Sequence, residues 1–467
     1  MVRRATLWTQ RVAGLGVFFF SAVSAAQLPP HDAVVGSDVA RVNLGEGDDA
    51  VDWLSLSERL ADKPTTDVRF MAPRGVPAVE IPVCANLSGV TVDGTDVDAT
   101  PKRLILDLSG NREHAIALHL ATKGYERRVA CSYAPRLGTR TKTAEGLGVF
   151  SFPSVHEREG GGRAVVYVPR GHDLTKPSAL LVGLHPWNGT FWTYAAYAEL
   201  LREADARDVV LLMPSGLGNS LYTEPAEEEV LTAIDQISRA VAIDALRVSI
   251  WGASMGGAGA TTIGFHHPDR FASITSFFGD SKYDLRTYVR AILRDERAAH
   301  RVNALDIVEN ARNVPVWLIH GEDDHVSPIS QSEVLAQALR QRGFTARFDR
   351  VPRAGHEGSL VAKFAAQVVD RAADARAVAA PRHVSFVSVR ASDTGVYGLR
   401  ITRTSATGDA TIDLERVGDT VHVRRARGVG AIALPRGAFG APPSRALDVV
   451  VDDPLARAVD VHWDPLP

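Results

Sequence analysis

A chain of 467 residues is long enough for two or three domains with a sizeable core. Its composition, 45% hydrophobic and 23% charged, is that of an ordinary globular protein and excludes wholesale disorder or a membrane bundle. The 52 Lys and Arg are spread along the chain against 55 Asp and Glu, so the basic footprint of nucleic-acid binding is missing.

Arg3 and Arg4 precede an apolar stretch at 12–23 and a small-residue site at 23–26. That is the layout of a secretory signal peptide over residues 1–26, with an uncleaved anchor as the alternative. The first reading makes the mature protein exported, either secreted or periplasmic, with no membrane span. In that setting Cys84 and Cys131, the two cysteines of the chain, are expected to form a disulfide. Two separate buried thiols are the alternative, and two sulfurs with no histidine cluster beside them argue against a metal.

Residues 27–146 read as a small β-rich module. After a weak helical stretch at 53–60 come short alternating runs at 79–83, 89–92, 104–108 and 127–133, broken by turn residues such as Asp93-Gly94. From about residue 150 the rhythm changes. Apolar strands at 164–168, 179–184, 209–213, 248–251, 273–277, 316–320 and 346–351 are interleaved with helical patterns at 190–204, 227–242, 331–341 and 360–373. Such alternation predicts an α/β domain over 150–375, its mostly parallel sheet covered on both faces. Beyond an Ala- and Arg-rich joint, residues 381–467 return to period-two runs at 383–389, 395–402, 411–417, 420–424 and 446–451, a second small antiparallel module.

Chemistry concentrates in the middle domain. Gly252-Ala253-Ser254-Met255-Gly256 directly follows an apolar strand and opens an Ala- and Gly-rich helix. Small residues on either side let the chain turn sharply enough to thrust Ser254 above the sheet, with the Met255 amide aimed where an oxyanion would form. A serine nucleophile needs a histidine base and an acid to orient it. Two downstream loops supply them in the order Ser, acid, His: Gly321-Glu322-Asp323-Asp324 and Gly355-His356. Both follow strands at the edge where open α/β sheets place their sites.

The segment His320-Gly321-Glu322-Asp323-Asp324 resembles the acid loop of the prolyl-oligopeptidase-like and dienelactone-hydrolase-like members of the α/β-hydrolase superfamily, which reads His-Gly, two variable residues, then Asp. Gly355-His356 is similar to their histidine loop. Over residues 163–372 the resemblance implies a Ser254–His356–Asp324 triad, with Asp323 the rival for the acid, and an acyl-enzyme mechanism needing no cofactor or metal. It also implies a second oxyanion donor on the loop Leu184-His185-Pro186-Trp187. Pro186 has no N–H where the families carry Gly, so the role passes to the Trp187 amide. Trp192 and Tyr222, on loops at the same edge, are expected to contact substrate.

Other residues take a plainer reading. Glu224 and Glu227-Glu228-Glu229 suit a solvated helix start, and His266-His267 a helix end whose carbonyls they cap. The Gly252–257 turn lacks the Lys-Ser/Thr of a phosphate loop. The N-terminal region is too short for a gating β-propeller. Small-molecule esters or polyesters are therefore the favoured substrates, with an exported peptidase as the alternative and a non-catalytic polymer- or surface-binding protein as the third reading.

Overall fold

The computed structural model describes residues 146–156, 162–173, 176–191, 193–287 and 289–465, and upstream of them 33–35, 41–42, 65–72, 78–82, 87–97, 103–107, 114–121 and 134–136. The signal-peptide region, the helical stretch at 53–60, the run at 127–133, Cys84, Cys131 and Trp192 lie outside the described residues.

Eight strands form the body of the large sheet: β1 (Gly146–Phe152), β2 (Gly162–Val168), β3 (Ser178–Leu184), β4 (Val209–Pro214), β5 (Ile243–Ala253), β6 (Ser273–Phe277), β7 (Val316–Gly321) and β8 (Ala346–Val351). Strands β3, β4 and β7 are buried at every position, as unbroken apolar runs must be when helices cover both faces. Their spatial order is β8-β7-β6-β5-β3-β4-β2-β1. All pairings among β3 to β8 are parallel, and β2 runs antiparallel to both its neighbours. This is the α/β-hydrolase fold. The chain steps from β3 outward to β4, then crosses back to β5 on the other side of β3. The carboxyl ends of β3 and β5 therefore flank the crevice where such sheets bind ligands.

Helices α1 (Ala198–Arg207), α2 (Glu224–Ala240), α3 (Met255–His266), α4 (Ser330–Gln341) and α5 (Ser359–Asp374) cover the sheet. One core holds side chains of α1 and α5, among them Leu200, Ala204, Val361 and Val368. The opposite core holds those of α2, α3 and α4, among them Val230, Ile263 and Leu335. Helix α3, MGGAGATTIGFH, is buried at all positions. Its four glycines are poor helix formers, and their small size is what allows so close an approach: a Cβ on Gly264 would meet Ile274 at 2.3 Å. The helix expected over 190–204 is broken instead. A 3-10 turn at Thr193–Ala196 precedes α1, and Tyr197 between them is extended.

The N-terminal strands divide between two sheets. Six of them form an antiparallel sheet, and its hairpin at 87–97 buries Val90 in the α1/α5 core. Strands Ala134–Arg136, Ala78–Pro82 and Arg103–Asp107 extend the large sheet beyond β1 to eleven strands.

The C-terminal strands are β9 (His383–Ser388), β10 (Gly395–Val396), β11 (Leu399–Arg403), β12 (Ala410–Val417), β13 (Thr420–Arg427), β14 (Val429–Leu434), β15 (Asp448–Val451) and β16 (Asp460–Trp463). They make two four-stranded sheets, β9-β12-β13-β15 and β10-β11-β14-β16, around one shared core. Each sheet is antiparallel except for a parallel last pair, β13 with β15 and β14 with β16. No helix among the described residues is long and apolar enough to cross a membrane.

Candidate active site

Ser254 stands at the carboxyl end of β5 with φ 56° and ψ −120°. A non-glycine residue is held there only when its surroundings over-determine it, at a cost of about 1–3 kcal/mol. The glycines on each side make the turn possible. A Cβ on Gly252 would lie 2.4 Å from Gly256 backbone, and one on Gly256 would lie 1.7 Å from the Leu184 carbonyl oxygen. The Ser254 N–H donates to the Phe277 carbonyl at 2.9 Å, tying the elbow to β6. Met255 begins α3, and the first N–H groups of a helix have no acceptor within it.

His356, on the loop after β8, has Nε2 2.8 Å from Ser254 Oγ and Nδ1 2.7 Å from Asp324 Oδ2. Of the two neighbouring acids it is Asp324 that is buried and turned inward, whereas Asp323 is exposed. The other Asp324 oxygen accepts the N–H groups of Val326 and Ser327, both at 2.9 Å. Burial raises the Asp324 pKa; hydrogen bonds from His320 and His356 outweigh it and hold the carboxyl well below its usual range. The group thus stays ionised beside His356.

Sequence reasoning missed the residues that frame this chain of three. His320 is completely buried, with Nε2 2.8 Å from the Ser327 carbonyl and 3.3 Å from Asp324 Oδ2, while Nδ1 faces Ser332 Oγ at 2.8 Å. The motif named this histidine only as a spacer. The Phe278 ring packs on the His356 ring with centroids 4.4 Å apart. Asp280, two residues on, accepts the Ser327 hydroxyl at 2.5 Å; burial pushes its carboxyl pKa up, against that hydrogen bond.

On the loop after β3, a turn closes from the Gly189 N–H to the Pro186 carbonyl at 2.9 Å, with Trp187 half-buried inside it. Asn188 and Asn219 exchange hydrogen bonds of 2.7 Å in both directions, joining this loop to 216–222. Tyr222 has no exposed surface. Its hydroxyl donates to the His185 carbonyl at 3.3 Å, and its ring fills the space beside Gly216 and Gly259. It supports the loop from behind and does not face solvent.

The acidic and histidine runs depart from the plain readings. Glu227 and Glu229 are buried. Glu227 takes two hydrogen bonds from Arg390 and one from His267, and Glu229 accepts the Ser215 hydroxyl. His266 lies between Asp393 and the Arg301 carbonyl. Arg390 and Asp393 of the C-terminal module cover Glu227 and His266, whereas Glu229 is buried against Ser215 within the catalytic domain.

A model of the prolyl oligopeptidase family matches residues 220–375, a segment that contains Ser254, Asp324 and His356. No curated protein matches the chain. Among solved structures, an S-formylglutathione hydrolase from Agrobacterium tumefaciens is 22% identical over 51% of this chain and 99% of its own, with a TM-score of 0.43. A ferulic acid esterase is 18% identical over 49% and 98%, TM-score 0.42. Porphyromonas gingivalis dipeptidyl peptidase 4 is 15% identical over 50% and 36%, TM-score 0.39. The matched segment and the fold on which it lies agree: the chain carries the domain of a serine hydrolase of the α/β-hydrolase superfamily.

Proposed function

We propose that the protein, after export, hydrolyses carboxylic esters through an acyl-enzyme on Ser254. The observation carrying this reading is the unbroken hydrogen-bonded chain Ser254 Oγ–His356–Asp324, at 2.8 and 2.7 Å. His356 removes the hydroxyl proton as Ser254 attacks the acyl carbonyl, and the Met255 and Trp187 N–H groups take up the oxyanion. Ionised Asp324 holds the ring with Nδ1–H inward and Nε2 free to accept. His356 then protonates the departing alcohol, and water repeats the sequence on the acyl-enzyme.

Among the described residues the N-terminal strands form one six-stranded antiparallel sheet and an extension of the large sheet, an arrangement that favours small esters over a propeller-gated peptide substrate. The prolyl oligopeptidase family match favours a second reading, a serine peptidase with the same triad. The test is fluorophosphonate labelling of wild type and Ser254→Ala, then turnover of short-chain p-nitrophenyl esters against aminoacyl p-nitroanilides. Labelling lost in the variant, with faster ester than anilide cleavage, supports the esterase; the reverse ratio selects the peptidase. A folded wild type that neither labels nor turns over overturns both.

A further inference from the structure

Tyr194 lies on the 3-10 turn that leaves the β3 loop, and its ring is buried. The ring packs on Trp251 of β5, tilted by 34° with centroids 4.2 Å apart. It also covers Gly183 of β3, where a Cβ would meet ring atom Cδ2 at 3.0 Å. So fixed, the hydroxyl makes two hydrogen bonds of opposite sense. It donates to the Leu184 carbonyl at 2.8 Å and accepts the Ala253 N–H at 2.8 Å. A phenol has one proton to give, and this arrangement uses it once.

Leu184 and Ala253 mark the place where two strands part. The β3–β5 ladder ends with Leu184 opposite Gly252. Beyond it one chain turns into the serine elbow, and the other into the loop of His185 and Trp187. Met255 stands two residues past Ala253, and Trp187 three past Leu184. We infer that Tyr194 is a positioning residue for hydrolysis: its hydroxyl bridges the parting strands and sets the separation at which the two oxyanion donors converge. The inference rests on reading Ser254 as the nucleophile and these amides as the donors.

Such donors act only within about 2.7–3.1 Å of the oxygen they serve, and a displacement of about 1 Å can cost roughly 100-fold in rate. Removing the hydroxyl leaves the Leu184 carbonyl and the Ala253 N–H buried without this partner, so the two backbones shift or admit water.

Tyr194→Phe tests the role. With a short-chain p-nitrophenyl ester, kcat is expected to fall roughly 10- to 100-fold while KM stays within about threefold. The pH midpoint of kcat/KM should hold, because His356 and Asp324 are untouched, and the fluorophosphonate labelling rate should fall with kcat. Tyr167→Phe is the control: it removes a comparable phenol bond, to Asp205 at 2.7 Å, on β2 away from the elbow. It is expected to lower Tm without lowering kcat. Should Tyr194→Phe fail to fold, Gly183→Ala, which presses the ring aside, is read in the same way. A Tyr194→Phe enzyme with kcat within twofold of wild type overturns the inference, as does a kcat loss no larger than that of Tyr167→Phe at equal Tm. Ser254→Ala separates the failures. If it still turns over ester, the functional reading falls and this one with it; if it is inactive while Tyr194→Phe is unimpaired, only the positioning role falls.

Discussion

Arg390 of the C-terminal module holds Glu227 of the catalytic domain with two guanidinium hydrogen bonds of 2.8 and 3.1 Å, and all three of its side-chain nitrogens reach carboxylates through Asp393 at 3.0 Å. Arg390, Glu227 and Asp393 are all buried. A buried carboxylate left without its cation is costly, at about 3–5 kcal/mol. Arg390→Met is expected to lower stability by about that amount in urea unfolding. Adding Glu227→Gln to it should recover part of the loss, because the double variant no longer buries that unpaired charge. A loss under about 1 kcal/mol would mean that solvent reaches the network.

Acid should act on the same network. Burial raises the Glu227 pKa, but the His267 hydrogen bond and the charges of His266 and Arg390 bring it to about 2, from 4.5. Asp393 is likewise brought to about 2, from 3.8, by its His266 bond and Arg390 against burial. A carboxylate depressed in the folded state stabilises the fold above its unfolded pKa, and the effect is lost as pH falls through the folded one. Stability should therefore drop between about pH 5 and pH 2, by roughly 5 kcal/mol from this pair. Urea midpoints across that range, for wild type and Glu227→Gln, measure it; the variant should show the shallower fall.

The acid assignment divides two adjacent residues. Asp324→Asn removes the carboxylate facing His356 Nδ1, and kcat should fall by about 10⁴, the scale set by the equivalent change in a Ser-His-Asp triad. Asp323→Asn changes an exposed side chain and should leave kcat within about twofold. Steady-state ester hydrolysis by both variants decides, and equal losses would refute the assignment.

Gly256→Ala places a methyl 1.7 Å from the Leu184 carbonyl oxygen, a backbone atom that cannot step aside as a side-chain tip could. We expect about 1–3 kcal/mol of destabilisation together with loss of fluorophosphonate labelling in the protein that remains folded. Full labelling would show that the elbow accommodates the group.

Strands β2 to β8 of the large sheet were legible in the sequence, and so were Ser254, Asp324 and His356, the three residues that the structure brings within hydrogen-bonding distance. Buried parallel strands leave apolar runs, and the elbow needs small residues at fixed offsets, so both signals are local. The residues that frame the triad were not legible. Phe278, Asp280 and His320 act through neighbours brought together by strand order, and Tyr194 through two strand ends that meet only in the folded sheet. The burial of Glu227 was misread because its partner Arg390 lies 163 positions away, and that of Glu229 because Ser215 reaches it only once β4 packs beside α2. Strands β1, β14 and β16 escaped: two of the seven residues of GLGVFSF are glycine, half of VGAIAL is glycine or alanine, and DVHW is only four residues long.

The continuity of the large sheet bears on how this hydrolase could be shortened. The ladder passes from β2 through β1 to Ala134–Arg136, Ala78–Pro82 and Arg103–Asp107 without a gap. A fragment starting at residue 146 would strip β1 of its outer neighbour. One starting at 162 would bare the β2 backbone, flanked by Ala164, Val165 and Val166, which are otherwise wholly enclosed. An apolar strand with open N–H and C=O groups is a template for pairing with other chains. Soluble fragments of this enzyme should therefore begin upstream of residue 78, and the family match over 220–375, which holds Ser254, Asp324 and His356, is no guide to where the polypeptide can be cut.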